Sequence, residues 1–330
     1  YLLEEIEEEQ LVDAVLRESE AGGCIAVICD TVKRAQQTYQ ALRERYVGEI
    51  ALLHSRFTVE SRNRREQQLV HRLGPGAASR PERMIVVATQ VVESSLDVDF
   101  DLMFTDIAPI DLLIQRLGRL HRHPRSLEER PATMREARAV LTGGAGLLTG
   151  ADLPVFDPGV RNVYGEAQLL RTVAALRRNC ERVDARMIRV PEDVPGLIRD
   201  AYSEVLHSFP GWEERQQEAE VERVARARDQ QERSGQYVLG APGVGRIADW
   251  NRLAYSEAAE EQLGAAQVRD AELSLEVVLV QQREGVCYPV PWLPEQFVHR
   301  QVDSLSGIED EELERIIATC TVSLPSWMTR

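Results

Sequence analysis

Arg119 and Arg122 carry the densest chemistry in this chain. They fall in Gln115-x-x-Gly118-Arg119-x-x-Arg122, on the last turn of a short apolar helix predicted over residues 111–117. Two guanidiniums at this spacing suit the neutralisation of charge on a phosphoryl group in transfer. The planar fork bonds phosphate oxygens and stays protonated. An arginine reaching across a cleft to ATP in this way is worth about 10³ to 10⁵ in rate. Gly118 between them is expected to let the backbone approach closely. Asp97, just upstream, suits a hydrogen bond from the ribose of ATP. The ordinary alternatives are a surface helix with exposed arginines and a turn carboxylate.

A second group of residues suits a nucleic-acid backbone. Thr89 ends a predicted strand, and its hydroxyl and nearby N–H groups fit a phosphate. Gln90 follows it into the turn. Thr31 and the pair His54-Ser55 end neighbouring strands on the same rim. Thr31 alone reads at least as well as a helix cap; three strand ends in a row give the reading its weight.

The elements that must position these residues alternate regularly. An acidic amphipathic helix is predicted over residues 4–17. The continuous apolar run at 24–29 reads as a strand buried on both faces. Thr31 caps a helix to about Arg45, and 49–54 is the next strand. Thr58 opens an Arg-rich helix to about Leu73. Strands follow at 84–89, 101–106 and 138–142. This pattern predicts an α/β fold, a RecA-like parallel sheet flanked by helices, followed by a linker helix and a small α+β C-terminal domain. Ligands on such sheets sit at the carboxyl ends of the strands. Helical pieces are expected at 163–179 and 191–206. The stretch 213–233 is polar nearly all round, as a helix bridging domains through solvent would be. Strands are expected at 276–282 and 319–324. The expected division is 1–208 for the lobe and its trailing helices, 209–240 for the linker helix and 241–330 for an accessory lid.

The 330-residue chain carries a formal net charge of -15, which excludes a uniformly basic surface but not a local basic channel. Lys33 is the only lysine. The cysteines at 24, 29, 180, 287 and 320 are widely spaced and odd in number, as buried thiols in a reducing cytoplasm would be. Cys24 and Cys29 fall on opposite faces of their strand. His121-x-His123 lacks further ligands at metal spacing, so no metal site is expected. No apolar stretch approaches the roughly 20 residues of a membrane span. The chain opens at Tyr1 and not Met, and is expected to be processed, cut or excerpted from a longer polypeptide.

Two glycine-rich segments are decoys. Residues 240–247 have the glycine spacing of a phosphate loop, but Arg246 stands where lysine is needed and Ile247 replaces the Mg²⁺-binding hydroxyl. Residues 143–146 lack the spacing of a dinucleotide loop. The tryptophans at 212, 250, 292 and 327 read as packing residues before base-stacking ones.

The run ATQVVESSLDVDFDLMFTDIAPIDLLIQRLGRLHRH, residues 88–123, resembles the fifth and sixth motifs of superfamily 2 helicases. More narrowly it is similar to the CRISPR-associated helicase-nuclease of type I systems, including Ser95 where most helicases carry Gly. Asp30-Thr31-x-x-Arg34-Ala35-Gln36 and Leu53-His54-Ser55-Arg56-Phe57 match the family's fourth-motif region. Residues 268–272 resemble the start of its C-terminal domain. The resemblance implies a 3′-to-5′ single-stranded DNA translocase, fused to an HD-type metal nuclease and recruited by an RNA-guided surveillance complex. It puts Arg119 and Arg122 on the nucleotide phosphates, Gln115 at the nucleotide and Thr89 on the DNA backbone.

The departures are specific. No lysine follows a Gly-rich loop, no Asp-Glu-x-His or Asp-Glu-x-Asp strand end occurs, and each of the six histidines is followed by Ser, Arg or Pro. ATP, Mg²⁺ and the nuclease metal ions are therefore expected to be held mainly by a first lobe and an HD domain that this chain lacks. Alone it is expected neither to hydrolyse ATP efficiently nor to cut DNA. The rival readings are the second lobe of another superfamily 2 DNA or RNA helicase, and a non-catalytic docking module.

Overall fold

The computed structural model describes residues 1–77, 80–94, 96–126, 128–143, 146–148, 152–235, 274–302 and 311–325. Ser95, Gly144, Ala145, the 240–247 and 268–272 segments, Trp250 and Trp327 lie outside the described residues.

Strands β1 (Leu2–Glu5), β2 (Gly23–Ile28), β3 (Glu49–Leu53), β4 (Arg83–Ala88), β5 (Leu102–Asp106) and β6 (Arg138–Thr142) form one sheet. Its order is β1-β6-β5-β2-β4-β3, and every pairing is parallel. Sheet growth reverses at β2, with β4 and β3 on one side and β5, β6 and β1 on the other. Such a reversal opens a crevice beyond the carboxyl ends of the strands.

The apolar run of β2 is buried on both faces because each face has its own core. Ile25, Val27 and Cys29 face helices α1 (Leu11–Ser19) and α2 (Val32–Arg45). Cys24, Ala26 and Ile28 face α3 (Val59–Leu73) and two helices introduced below. Burying one such aliphatic side chain is worth about 1.5 to 3 kcal/mol as an upper estimate. The caps are where the sequence places them: Thr31 accepts from the Arg34 N–H at 3.2 Å and Thr58 from the Ser61 N–H at 3.3 Å.

The first residues differ from expectation. Leu2–Glu5 is a strand, Glu8–Gln10 a 3₁₀ turn, and the helix begins only at Leu11. Leu3 buries to 2% exposure as β1 takes the edge of the sheet beside β6. A glutamate-rich first turn offers no such apolar contact, so tertiary pairing overrides helix propensity.

After β4 come the one-turn helix α4 (Val91–Ser94) and, beyond β5, α5 (Ile110–Leu117). The single helix expected over 163–179 is two, α6 (Pro158–Tyr164) and α7 (Glu166–Val183), broken at Gly165, whose φ is +79°. Helices α5 and α7 complete the second face of the sheet. Next come α8 (Val194–Tyr202) and α9 (Glu213–Gly235). The N-terminal part of α9 is not solvent-bridging. Trp212 at its start is fully buried, Ala219 is buried, and Glu220 pairs with Arg171 of α7. From Val221 to Gln230 the helix stands in solvent except at its last residue, which is half-buried.

The C-terminal part is a small α+β unit. β7 (Ser274–Val278) pairs antiparallel with β10 (Thr321–Pro325), and β8 (Val280–Arg283) with β9 (Val286–Pro289). The strand expected over 276–282 is interrupted at Leu279, whose N–H donates to Cys320 O. Helices α10 (Glu295–Val298) and α11 (Glu311–Ala318) bury Phe297, Leu313 and Ile317 together with Val302. The unit touches the lobe beside His54: Arg56 Nη1 donates to Ser323 O at 3.1 Å, and the Glu60 N–H donates to Thr319 O at 2.9 Å.

Candidate nucleotide and nucleic-acid site

The parallel register brings the expected strand ends to one level. Leu53 and Ile28 both lie opposite Ala88, and Asp106 closes β5 on the same rim. Thr89 is 2% exposed and its N–H donates to Leu53 O, continuing the ladder; its carbonyl accepts from Val92 N to start α4. Thr31 is half-buried and spends its hydroxyl oxygen as the cap of α2. Ser55 is exposed. His54 is buried, stacks on Phe57 at 4.2 Å, and accepts from the Arg56 N–H through Nδ1 at 3.1 Å. Burial lowers its pKa to about 4, so the ring is neutral at physiological pH. The Gln90 amide turns inward, its Nε2 donating to Asp30 O at 2.7 Å and to the Tyr164 hydroxyl at 3.0 Å.

The arginines lie one step further along than the sequence suggested. Helix α5 ends at Leu117, and Arg119 and Arg122 follow its Gly118 C-cap, outside the helix. Gly118 has φ -62°, and a Cβ there would meet only the carbonyls of its own helix, at 3.3 and 3.5 Å. Gly118 stands at the end of α5, and no neighbouring element crowds the position of a side chain there. Gln115 is exposed. Arg119 donates from Nε to Val92 O at 3.1 Å and from Nη2 to Glu93 O at 2.7 Å, satisfying free carbonyls of α4. Arg122 pairs with Asp97 at 2.5 Å, donates to Gly118 O, and has its own N–H held by Asp99 Oδ1 at 2.8 Å. The Arg122 hydrogen bond holds the Asp97 carboxyl below the usual carboxylate range. Arg119 is partly buried; burial and the like charge of Arg122 both lower its pKa. The structure thus brings Asp97, Arg119 and Arg122 together, with two guanidiniums partly open to solvent beside one carboxylate.

Behind them lies a junction that sequence reasoning missed. Arg116 is 1% exposed and uses all five of its N–H donors. Nε goes to Glu93, Nη1 to Thr105 Oγ1 and Asp106 O, and Nη2 to Asp30 Oδ1 and the Tyr164 hydroxyl, at 2.7 to 3.0 Å. Burial opposes its charge, but the Asp30, Tyr164 and Glu93 oxygens outweigh burial and raise its pKa. Burial pushes the Asp30 carboxyl up to about 7 against the pull of Arg116. One signal was available. Arg116 stands beside Leu113 and Leu117 on the apolar face of α5, where an unpartnered charge is costly. Tyr164 gave none, since 134 residues separate it from Asp30.

At the opposite ends of the strands, Asp99 and Asp101 are buried among Arg80, Arg125 and Arg130. His121 Nε2 lies 3.1 Å from Asp101 O, and His123 faces Asp97 at 3.2 Å. Among the described residues no group of three or more His, Cys, Asp or Glu is arranged to hold a metal ion. Among the same residues no helix is long and apolar enough to cross a membrane.

Residues 21–125 match the family model "CRISPR-associated nuclease/helicase Cas3, C-terminal". The chain is 33% identical to the CRISPR-associated nuclease/helicase Cas3 of Streptococcus thermophilus, over 82% of this chain and 28% of that protein. Its fold is similar to the crystal structure of T. fusca Cas3-AMPPNP, with TM-score 0.74 and 26% identity over 99% of this chain and 36% of that one. It is likewise similar to a chain of a CRISPR RNA-guided surveillance complex, pre-nicking, with TM-score 0.70 and 25% identity over 100% of this chain and 38% of that one. The chain therefore spans about a third of the length of these relatives.

Proposed function

This chain belongs to the Cas3 nuclease/helicase family, whose C-terminal helicase part it matches, and from that premise we propose that it is the second RecA-like lobe of an ATP-driven single-stranded DNA translocase. In this reading residues 1–208 are the lobe, 209–240 the linker helix and 241–330 the accessory lid. The enzyme degrades foreign DNA in type I CRISPR interference, in the cytoplasm, after recruitment by an RNA-guided surveillance complex. The likeness to a chain of such a complex supports the last point.

The observation that carries the reading is the grouping of Arg119, Arg122 and Asp97 beside α4, the short helix that follows the rim residues Thr89 and Gln90. Two partly exposed guanidiniums fit nucleotide phosphates, and one half-exposed carboxylate fits a ribose hydroxyl. Bound ATP with Mg²⁺ supplies the phosphoryl group to be transferred. The chain has no phosphate-loop lysine, so a first lobe holds most of the nucleotide, and nuclease metal ions belong to an HD domain. Arg119 and Arg122 contribute positive charge at the phosphates, and Gln115 and Asp97 orient the nucleotide. Thr89, Gln90, Thr31, His54 and Ser55 line the DNA backbone. Thr31 and Gln90 take part through the backbone or after releasing their present hydrogen bonds.

The test is single-stranded-DNA-stimulated ATPase, on this chain alone and mixed with a polypeptide supplying the first lobe. Activity is expected only in the mixture. Arg119→Ala and Arg122→Ala are each expected to lower it by about 10³ or more. No activity in the mixture with DNA and nucleotide present overturns the motor reading and leaves a docking module. A preference for duplex RNA points to another superfamily 2 helicase.

A further inference from the structure

Resting on the reading above, we infer that Tyr164, outside both motif segments, is a positioning residue that couples nucleic acid on the rim to Arg119. Its hydroxyl sits where three parts of the lobe meet. It donates to Asp30 Oδ1 at 3.0 Å and accepts from Gln90 Nε2 and Arg116 Nη2, each at 3.0 Å. A phenol has one proton to give and two lone pairs to receive with, so its capacity is full. Burial pushes the phenol pKa up, so the proton stays in place.

Each partner leads to a different side of the site. Gln90 follows Thr89 on the nucleic-acid rim. Its amide nitrogen has two protons, one on Asp30 O and one on Tyr164. A strand phosphate that takes either proton must break one of these bonds. Arg116 leads the other way, holding Glu93 of α4 at 2.7 Å. The carbonyls of Val92 and Glu93 in that same short turn carry Arg119. The path Gln90–Tyr164–Arg116–Glu93–Arg119 is thus a chain of direct hydrogen bonds that closes on the backbone of α4. It runs in parallel with the covalent route from Gln90 into α4. A buried network whose guanidinium and phenol are both fully used has few alternative arrangements, so loss of one bond is felt along it. Helix α6 is also wedged against the rim: a Cβ on Gly159 would lie 3.2 Å from Thr31.

The decisive variant is Tyr164→Phe, which keeps the ring in the core and removes only the hydroxyl. The assembled two-lobe enzyme is assayed with and without oligo-dT. Stimulation by the strand is expected to fall by about fivefold or more, the lower end of ordinary coupling between sites. The unstimulated ATPase and the KM for ATP are expected to stay within about twofold of the unmodified enzyme. Amide hydrogen exchange at Val91–Ser94 supplies a readout independent of hydrolysis. Oligo-dT is expected to change protection there in the unmodified protein and not in Tyr164→Phe.

Unaltered stimulation overturns the inference. So does a loss shared equally by basal and stimulated rates with a lowered Tm, which marks a merely structural hydroxyl. If the unmodified enzyme has no strand-dependent ATPase, the proposed function fails and the coupling with it. If Arg119→Ala lowers the ATPase while Tyr164→Phe leaves stimulation and exchange as they were, only the coupling fails.

Discussion

Arg116 and Arg119 are three residues apart and do different things. Arg119 follows a helix end and reaches the α4 carbonyls, partly open to solvent. Arg116 is sealed in and holds three acidic or phenolic oxygens from three elements. Motif spacing made Arg119 and Arg122 legible because their positions relative to a glycine are local facts. Arg116 was not, because its partners are distant in sequence and meet only when β2, α4 and α6 converge. His54 shows the same limit. Its place at a strand end was readable, but not that burial and the Phe57 stack would keep its ring neutral. That has a pH consequence. A His pKa of about 4 in the fold lies below the unfolded value near 6.5. The stability His54 contributes is present above about pH 6.5 and lost as pH falls towards 4. Melting curves at pH 7.5 and pH 5 should show a drop in Tm that is smaller in His54→Gln. An equal drop in both proteins would mean that other groups carry the acid sensitivity.

At the scale of elements, those with chemical punctuation were readable to within a residue or two. Helices α2 and α3 start at Thr31 and Thr58, whose hydroxyls accept the expected N–H bonds. The central strands follow from apolar runs that only a two-sided core explains. Elements fixed by distant contacts were misread. β1 looked helical, and α6 and α7 looked continuous because Gly165 was not read as a break. Helix α9 reads as free along its whole length by composition, yet Trp212 and the Arg171–Glu220 pair bind its first turns to α7. Truncating that anchor by Trp212→Ala should cost about 3 to 5 kcal/mol. Thermal or urea unfolding would register it as a clear loss of stability. Unchanged melting would show that the remaining contacts hold α9 without the indole.

For the whole molecule, the charge balance sets how a nucleic acid can be held. With a net charge of -15, attraction has to come from a few local groups. The rim residues proposed for the strand are mostly neutral, and Arg34 beside them is tied to Asp106 and Glu8. Counterion release from a single strand scales at about 0.7 per neutralised phosphate. The plot of log K against log salt for oligo-dT on this chain should therefore be shallow, with a slope of magnitude about 2 or less. A slope near 5 would point to a basic channel away from the rim. The likeness to Cas3 over nearly the full chain explains why the architecture was legible from two motifs.

The position of β1 has a consequence for the order of events during synthesis. Its residues pair with Arg138–Leu141, and its first backbone groups also meet Arg186 and Met187. More than a hundred residues must leave the ribosome before that edge can be zipped. At about 5 to 20 residues per second this is a wait of several seconds to half a minute. Throughout it the β6 edge does not yet exist and the Leu3 side chain has no core to enter. A truncated nascent chain ending before residue 138 should consequently present residues 2–5 to chaperones, whereas one released past residue 188 has buried them.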